Sequence, residues 1–231
     1  LGTSAAHCRS THHTLALDAL SHLKGEQAEA WRNVLLRYHD AYFAGAKAPD
    51  DTFKDFRNHV LHPKDNYWGG AVGAAKKWYG AVLDALARHD WEDFAYDAGV
   101  LSHYYTDPWQ PFHTGQSQAE SNIHRAHEWS INKSYEAIYR LIGVSHGFPE
   151  TALPKGSDWL ATMVTTAAER SHQYYDKLVK HYDRAAGARN PVEGLDAVSR
   201  DILGRLIAQA VVGFERILER AVEAAGGDTP N

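Results

Sequence analysis

Apolar side chains recur every three or four positions over most of the chain, the spacing of one buried face on an α-helix. Leu15, Leu17, Leu20 and Leu23 follow a Ser-Thr-His-His entry and predict a first helix closed by Gly25. Trp31, Val34, Leu35, Tyr38 and Tyr42 predict a second, ending at Gly45. A long polar connection follows, with Pro49, Pro63 and several aspartates, and loops of that length in compact domains often carry function. Val72, Ala75, Tyr79, Val82 and Leu86 predict a third helix, and Phe94, Ala98, Leu101 and Tyr105 a fourth. The next begins at His124 and continues through Ile131, Tyr135 and Ile138 to Gly143. Beyond a loop rich in Gly and Pro, two long helices are predicted over 159–182 and 192–225, followed by a frayed tail. Runs of alternating β-branched residues, Asn-Gly or Asp-Gly hairpins and internal repeats are missing from the sequence. The expected fold is all-α: residues 1–231 as a single-domain multi-helix bundle with a site between helices.

The densest chemistry lies in HYYTDPWQPFHTGQSQAESNIHRAHE, residues 103–128. His103, Asp107, His113, His124 and Glu128 stand at separations of four, six, eleven and four residues. Each four-residue pair shares one helix face. Pro108 pushes Asp107 out of the helical region, so the helix carrying His103 should stop there, and Pro111 stiffens the link to His113. A histidine four residues from an acid is ordinarily a surface ion pair. Two such pairs flanking a Pro-x-x-Pro-Phe-His turn instead predict ligands facing one centre, in the nitrogen and oxygen donor set that zinc favours.

Length and composition add bounds. With 231 residues the chain can build one substantial core, and its 44% apolar, 11% aromatic and 23% charged content is that of a globular protein. No apolar run approaches the length of a bilayer span. A net charge of −5 carries no general attraction for nucleic acid or anionic membranes, so an anionic substrate must be drawn locally, for instance by bound cations. Cys8 is the single cysteine, which forbids an intramolecular disulfide and leans mildly towards a reducing compartment. The N-terminal LGTSAAHC has neither a charged nor an apolar leader region, so a signal peptide is expected to be absent or already removed, and the compartment stays open.

Two upstream places add candidate donors: His12-His13 at the start of the first helix, and Asp50-Asp51 with His59 in the polar connection. Aspartates after proline ordinarily cap helices and a lone loop histidine is ordinarily solvated. Their weight comes from the company of the 103–128 stretch.

Across HYYTDPWQPFH with His124 and Glu128, and at NHVLHPKDN and the His12 helix, the sequence resembles the zinc-dependent bacterial phospholipases C. Relatives of that family include the catalytic domain of clostridial alpha-toxin and fungal single-strand-specific nucleases. The resemblance covers most of the chain and implies two or three Zn2+ per chain, in a cluster between helices. His59, His103, Asp107 and Asp50 would hold one ion, and His113, His124 and Glu128 a second. His12 would hold a third, with Asp107 as the bridging carboxylate. The family completes that third site with an N-terminal tryptophan, whereas this chain begins Leu1-Gly2; Leu1, His7 or Cys8 would have to substitute. At the family's choline-binding positions Phe56 matches, but Asp51 stands where a tyrosine is expected. His62 and His127 neighbour the ligands and are expected to support them or face solvent.

The resemblance thus implies a phosphate-ester hydrolase that uses metal-activated water, with Asp50 orienting or deprotonating that water. Three zinc ions against three carboxylates leave about three positive charges, and zinc lowers the pKa of water it holds to roughly 7. A phospholipid head group is the expected substrate, and neither a transmembrane segment nor a protein partner is implied. Single-stranded nucleic acid is the alternative substrate, with Trp68, Tyr67, Trp109 and Tyr104 as base platforms. A non-catalytic metal-binding domain is the alternative of another class.

Overall fold

The computed structural model describes residues 10–25 and 27–226. Helices α1 (Thr11–Ser21), α2 (Ala28–Arg37), α3 (His39–Ala48), α4 (Ala71–Ala87) and α5 (Trp91–Thr106) form the first half. After the short α6 (Gln118–Ser121) come α7 (His124–Leu141), α8 (Trp159–His172), α9 (Tyr175–His181), α10 (Arg184–Arg189) and α11 (Ala197–Ala224). The fold is all-α, relieved among the described residues only by a two-residue antiparallel ladder, β1 (Leu61–His62) with β2 (Trp68–Gly69), and an isolated bridge between Tyr182 and Leu195.

Helix α5 runs through the middle. Asp90 caps it, accepting from the Asp93 N–H at 3.1 Å, and Glu92 and Asp93 complement the positive end of its dipole. Every residue from Ala98 to Thr106 is buried, because α1, α2, α3, α4 and α11 all pack around it. Close approach to α3 depends on two glycines. A Cβ on Gly45 would lie 2.0 Å from the Tyr96 carbonyl oxygen, and one on Gly99 2.1 Å from that of Tyr42. The polar C-terminal end of α5 is thereby delivered into the interior, where His103 is fully buried and Asp107 nearly so.

Several expected boundaries move. The second helix breaks at Tyr38 (φ −100°, ψ 33°), and Gly45, expected to end it, lies inside α3 at the crossing just described. The polar connection is largely ordered: a π-turn over Pro49–Phe53, a 3-10 turn over Phe56–His59, then the β1–β2 ladder. The His124 helix ends at Leu141 and passes into a π-turn, Ile142–His146. The helix expected over 159–182 divides into α8 and α9, and the last one begins only at Ala197, after a 3-10 turn at Pro191–Gly194. Periodicity alone misses such breaks because both halves keep an apolar face. No helix of the described residues is long and apolar enough to cross a membrane.

Candidate metal centre

The α-helix ends where Pro108 predicts, but Asp107 is not pushed out of the helical region. It keeps φ −56° and ψ −47°, because the chain tightens there into a 3-10 turn that accepts proline in its first positions. Helix α5 stops at Thr106, and two successive 3-10 turns, Asp107–Trp109 and Pro111–His113, fold the chain back on itself. Ser171 of α8 donates to the Pro108 carbonyl at 2.5 Å and holds the first turn down. The second carries His113 to the His59 carbonyl, 3.1 Å from its Nδ1.

Four donor atoms meet at the end of α5. Asp107 Oδ2 lies 2.8 Å from His59 Nδ1 and 3.2 Å from His103 Nε2. The two nitrogens are 3.1 Å apart, and Asp50 Oδ1 is 3.7 Å from each. Asp51, by contrast, turns outward to Lys47 at 3.4 Å. His103 Nδ1 faces the Ala46 carbonyl at 2.8 Å, so the neutral ring carries its hydrogen there and turns a lone pair inward. Among the described residues no hydrogen bond of good geometry reaches the buried Asp107 Oδ2. Donors at zinc's ordinary bond lengths form a tetrahedron with edges of about 3.3–3.6 Å. The observed 2.8–3.7 Å separations bracket that range, and a cation would satisfy the unpaired oxygen.

A second group lies alongside. Glu128 Oε1 is 3.0 Å from His124 Nε2 and 3.3 Å from His113 Nε2. The outer Nδ1 of each ring is engaged, that of His113 by the His59 carbonyl and that of His124 by the carboxylate of Glu120. Two nitrogens and an oxygen are left facing one another, a set suited to zinc.

His12 joins the first group from α1. Its ring stacks on His103 with centroids 3.7 Å apart, and its Nε2 lies 3.4 Å from Asp107 Oδ1. His12, Asp50 and His103 offer three donor atoms within 4.8 Å of one another. Burial and the neighbouring His103 push the His12 pKa down to about 3, so the ring is neutral, and its Nδ1 is buried without a partner among the described residues. His13 points away, its Nε2 3.0 Å from the Phe43 carbonyl. Leu1, His7 and Cys8, the expected substitutes for the missing tryptophan, lie outside the described residues.

Charge balance in the cluster is unusual. Burial alone would lower the pKa of His59, His103 and His113, yet carboxylates, Asp107 foremost, outweigh it and raise all three. Burial alone would raise Asp107, but His103, His113 and His12 hold it well below the usual range. Such a cluster favours positive charge at its centre, and protons and metal ions compete for it.

Three supporting roles escaped the sequence reading, one of them that of Tyr104, expected instead as a base platform. Glu120 is buried and precedes His124 by four residues; Asp55 precedes His59 by four, its Oδ1 3.5 Å from Nε2. Tyr104 donates to both oxygens of Asp55 at 2.8 Å and so fixes that carboxylate. The four-residue spacing was the available signal, masked by the many acids on helix surfaces. His127, expected to be supporting or solvated, is fully buried, with neither ring nitrogen hydrogen-bonded among the described residues. It packs on the Phe112 ring, centroids 4.4 Å apart, and burial pushes its pKa down to about 3. His62 is buried against Trp68.

The donor groups border a cavity of about 410 Å³ reached by His12, Asp50, Asp107, His113 and Glu128, with Arg125 and Trp129 at its exposed margin. Solved structures with this arrangement of helices exist. The alpha-toxin of Clostridium perfringens from avian strain SWCP superposes with a TM-score of 0.63 at 14% identity, over 94% of this chain and 63% of the toxin. Alpha toxin from Clostridium absonum superposes at 0.64 and 16% identity, over 96% of this chain and 66% of the toxin. The chain shares their fold. It spans a little under two thirds of the length of either toxin. The sequence matches no protein-family profile and no curated protein.

Proposed function

We propose that this chain is a zinc-dependent phosphoric ester hydrolase of phospholipase C type. The observation that carries the reading is the division of the Asp107 carboxylate. One oxygen faces His59 and His103, while the other lies 3.4 Å from His12 and 3.5 Å from His113, so a single buried acid touches every histidine of its end of the cluster. The resemblance in residues 103–128 and the shared fold support the same conclusion.

In this proposal His59, His103, Asp107 and Asp50 would hold one ion, His113, His124 and Glu128 a second, and His12 with Asp107 a third, with Asp50 also within reach of His12. Zinc supplies Lewis acidity there, withdrawing charge from a phosphoryl oxygen and bringing the ionisation of water to about pH 7. The chain's own part is to position and to move a proton. Asp50 is the accessible acid of its group, 42% exposed against 2% for Asp107. Burial raises its pKa against the pull of His103, so its carboxylate is the base placed to orient the attacking water and accept its proton. Glu120 holds the outer edge of His124, and the Ala46 and His59 carbonyls those of His103 and His113, while Asp55 lies 3.5 Å from the outer Nε2 of His59 without a hydrogen bond to it.

The test is a panel of a chromogenic phosphodiester, phosphatidylcholine vesicles and single-stranded DNA, with zinc-loaded and chelator-treated protein side by side. Hydrolysis that needs zinc and is lost in Asp107→Asn is the expected result. Zinc-loaded protein that cleaves none of them would leave the non-catalytic metal-binding alternative in its place. One observation favours the nucleic-acid alternative: Tyr67 and Trp68 are 45% and 46% exposed, with the Arg57 guanidinium 5.9 Å from the Trp68 ring centre. The other two expected platforms are withdrawn, since Trp109 and Tyr104 are buried in the interior.

A further inference from the structure

A second cavity, of about 680 Å³, adjoins the metal cleft and is lined by three arginines from three different elements. Arg57 comes from the Phe56–His59 turn, Arg125 from the first turn of α7 and Arg184 from the start of α10. Glu120 is the lone carboxylate in this lining, and His124 already engages it. Among the described residues, no carboxylate pairs with any of the three guanidinium groups; Arg57 is set over the face of Trp68 instead. In a chain of net charge −5, three cations converging on one hollow are not the general surface.

Location adds a second constraint. Arg125 lines both cavities, and His124 of the second donor group borders the arginine-lined one. A ligand in the metal cleft can therefore extend past Arg125 into this space. The lining is partly apolar, with exposed Phe56 and Trp68 and buried Phe112 beside Gln116 and Asn122. Guanidinium groups match phosphate oxygens two at a time, repel a quaternary ammonium group, and gain strength at an apolar margin where water competes less.

We propose that this cavity is a second anion-binding site, taking a phosphomonoester group carried by the polyol portion of the substrate. The proposal rests on the hydrolase reading for the word substrate, while the site itself stands on the arginines. It selects phosphorylated polyol esters over zwitterionic ones. The polyol phosphate can arrive as a soluble ester or as the head group of an anionic phospholipid, and both present the same groups to the arginines.

The experiment titrates the zinc-loaded 231-residue chain by calorimetry with inositol 1,4,5-trisphosphate, inorganic phosphate and a single-stranded oligothymidylate. The same titrations are run on Arg125→Gln, Arg125→Lys and the triple Arg57→Gln/Arg125→Gln/Arg184→Gln variant, with zinc content and circular dichroism as checks on folding. The trisphosphate should bind the native chain about tenfold or more tighter than inorganic phosphate, and the triple variant should lose that preference. Arg125→Lys should retain part of what Arg125→Gln loses. Vesicles doped with phosphatidylinositol 4-phosphate, set against phosphatidylcholine alone, then separate the membrane source from the soluble one. Equal trisphosphate affinity in the native chain and the folded triple variant would overturn the proposal. So would oligothymidylate binding that is tighter than trisphosphate and equally dependent on the arginines, which would make the cavity a nucleic-acid track. A protein that hydrolyses nothing yet keeps the arginine-dependent preference would refute the hydrolase reading and leave this site standing.

Discussion

Glu120 offers the sharpest test of how the donor groups are held. It is 3% exposed, one helical turn before His124, and its carboxylate receives the Nδ1 hydrogen of that ring. Burial by itself would lower the His124 pKa, yet its bonds to Glu120 and Glu128 outweigh that and lift it to about 10. Removing Glu120 therefore makes the inward nitrogen less basic and frees the ring to rotate. Losing a carboxylate that holds a metal-binding histidine costs about 10–100-fold in metal affinity, or roughly 1.4–2.8 kcal/mol. Glu120→Leu should show the full loss for one zinc per chain, and Glu120→Gln, which keeps an acceptor but not the charge, only part of it. Competition against a chromophoric chelator measures the affinity, and a thermal melt confirms that both variants fold. If folded Glu120→Leu binds zinc as tightly as the native chain at the same stoichiometry, the proposed anchoring of His124 is wrong.

Other outcomes follow from the same structure. His59, His103, His113 and His124 all hold protons above the ordinary imidazole range, and zinc has to displace them. Apparent zinc affinity should therefore still rise, with proton release on binding, between about pH 7.5 and about pH 8.5, where ordinary imidazoles have already lost their protons. A plateau there would contradict the raised values. Gly45→Ala should cost about 3 kcal/mol or more, lowering the melting temperature by about 6–12 °C, because its Cβ meets the Tyr96 carbonyl. Gly73→Ala in α4, with nothing within 4 Å of the added carbon, should be neutral or slightly stabilising, and equal effects of the two would undo the close-packing argument. Glu215 of α11 is fully buried, with neither oxygen hydrogen-bonded among the described residues; burial and then Glu219 raise its pKa from 4.5 to about 9. Between those values the folded chain holds a proton that the unfolded chain has lost, so this residue's contribution to stability falls as pH rises. Glu215→Gln should remove that slope and stabilise the protein by roughly 1–3 kcal/mol near pH 7, read from denaturant midpoints at several pH values.

Helical periodicity made the all-α fold legible, since one apolar face per helix is a local property. The stop at Asp107-Pro108 was equally local, as was the sharing of one face by His103 with Asp107 and by His124 with Glu128. Breaks inside apolar runs, at Tyr38 and at 173–174, were not legible because the pattern continues across them.

What no local pattern contains is which nitrogen of His103 and His113 faces inward. That is set by the Ala46 carbonyl 57 residues before His103 and the His59 carbonyl 54 residues before His113. The sequence by itself determined where helices form and which donors share a turn, because those depend on spacings of three or four residues. Tertiary structure decided that Asp50 turns inward and Asp51 outward, that Trp109 and Tyr104 are core, and that three distant arginines line one hollow. Those outcomes depend on how α3, α5, α7 and α10 pack, and packing brings together residues that the chain holds far apart.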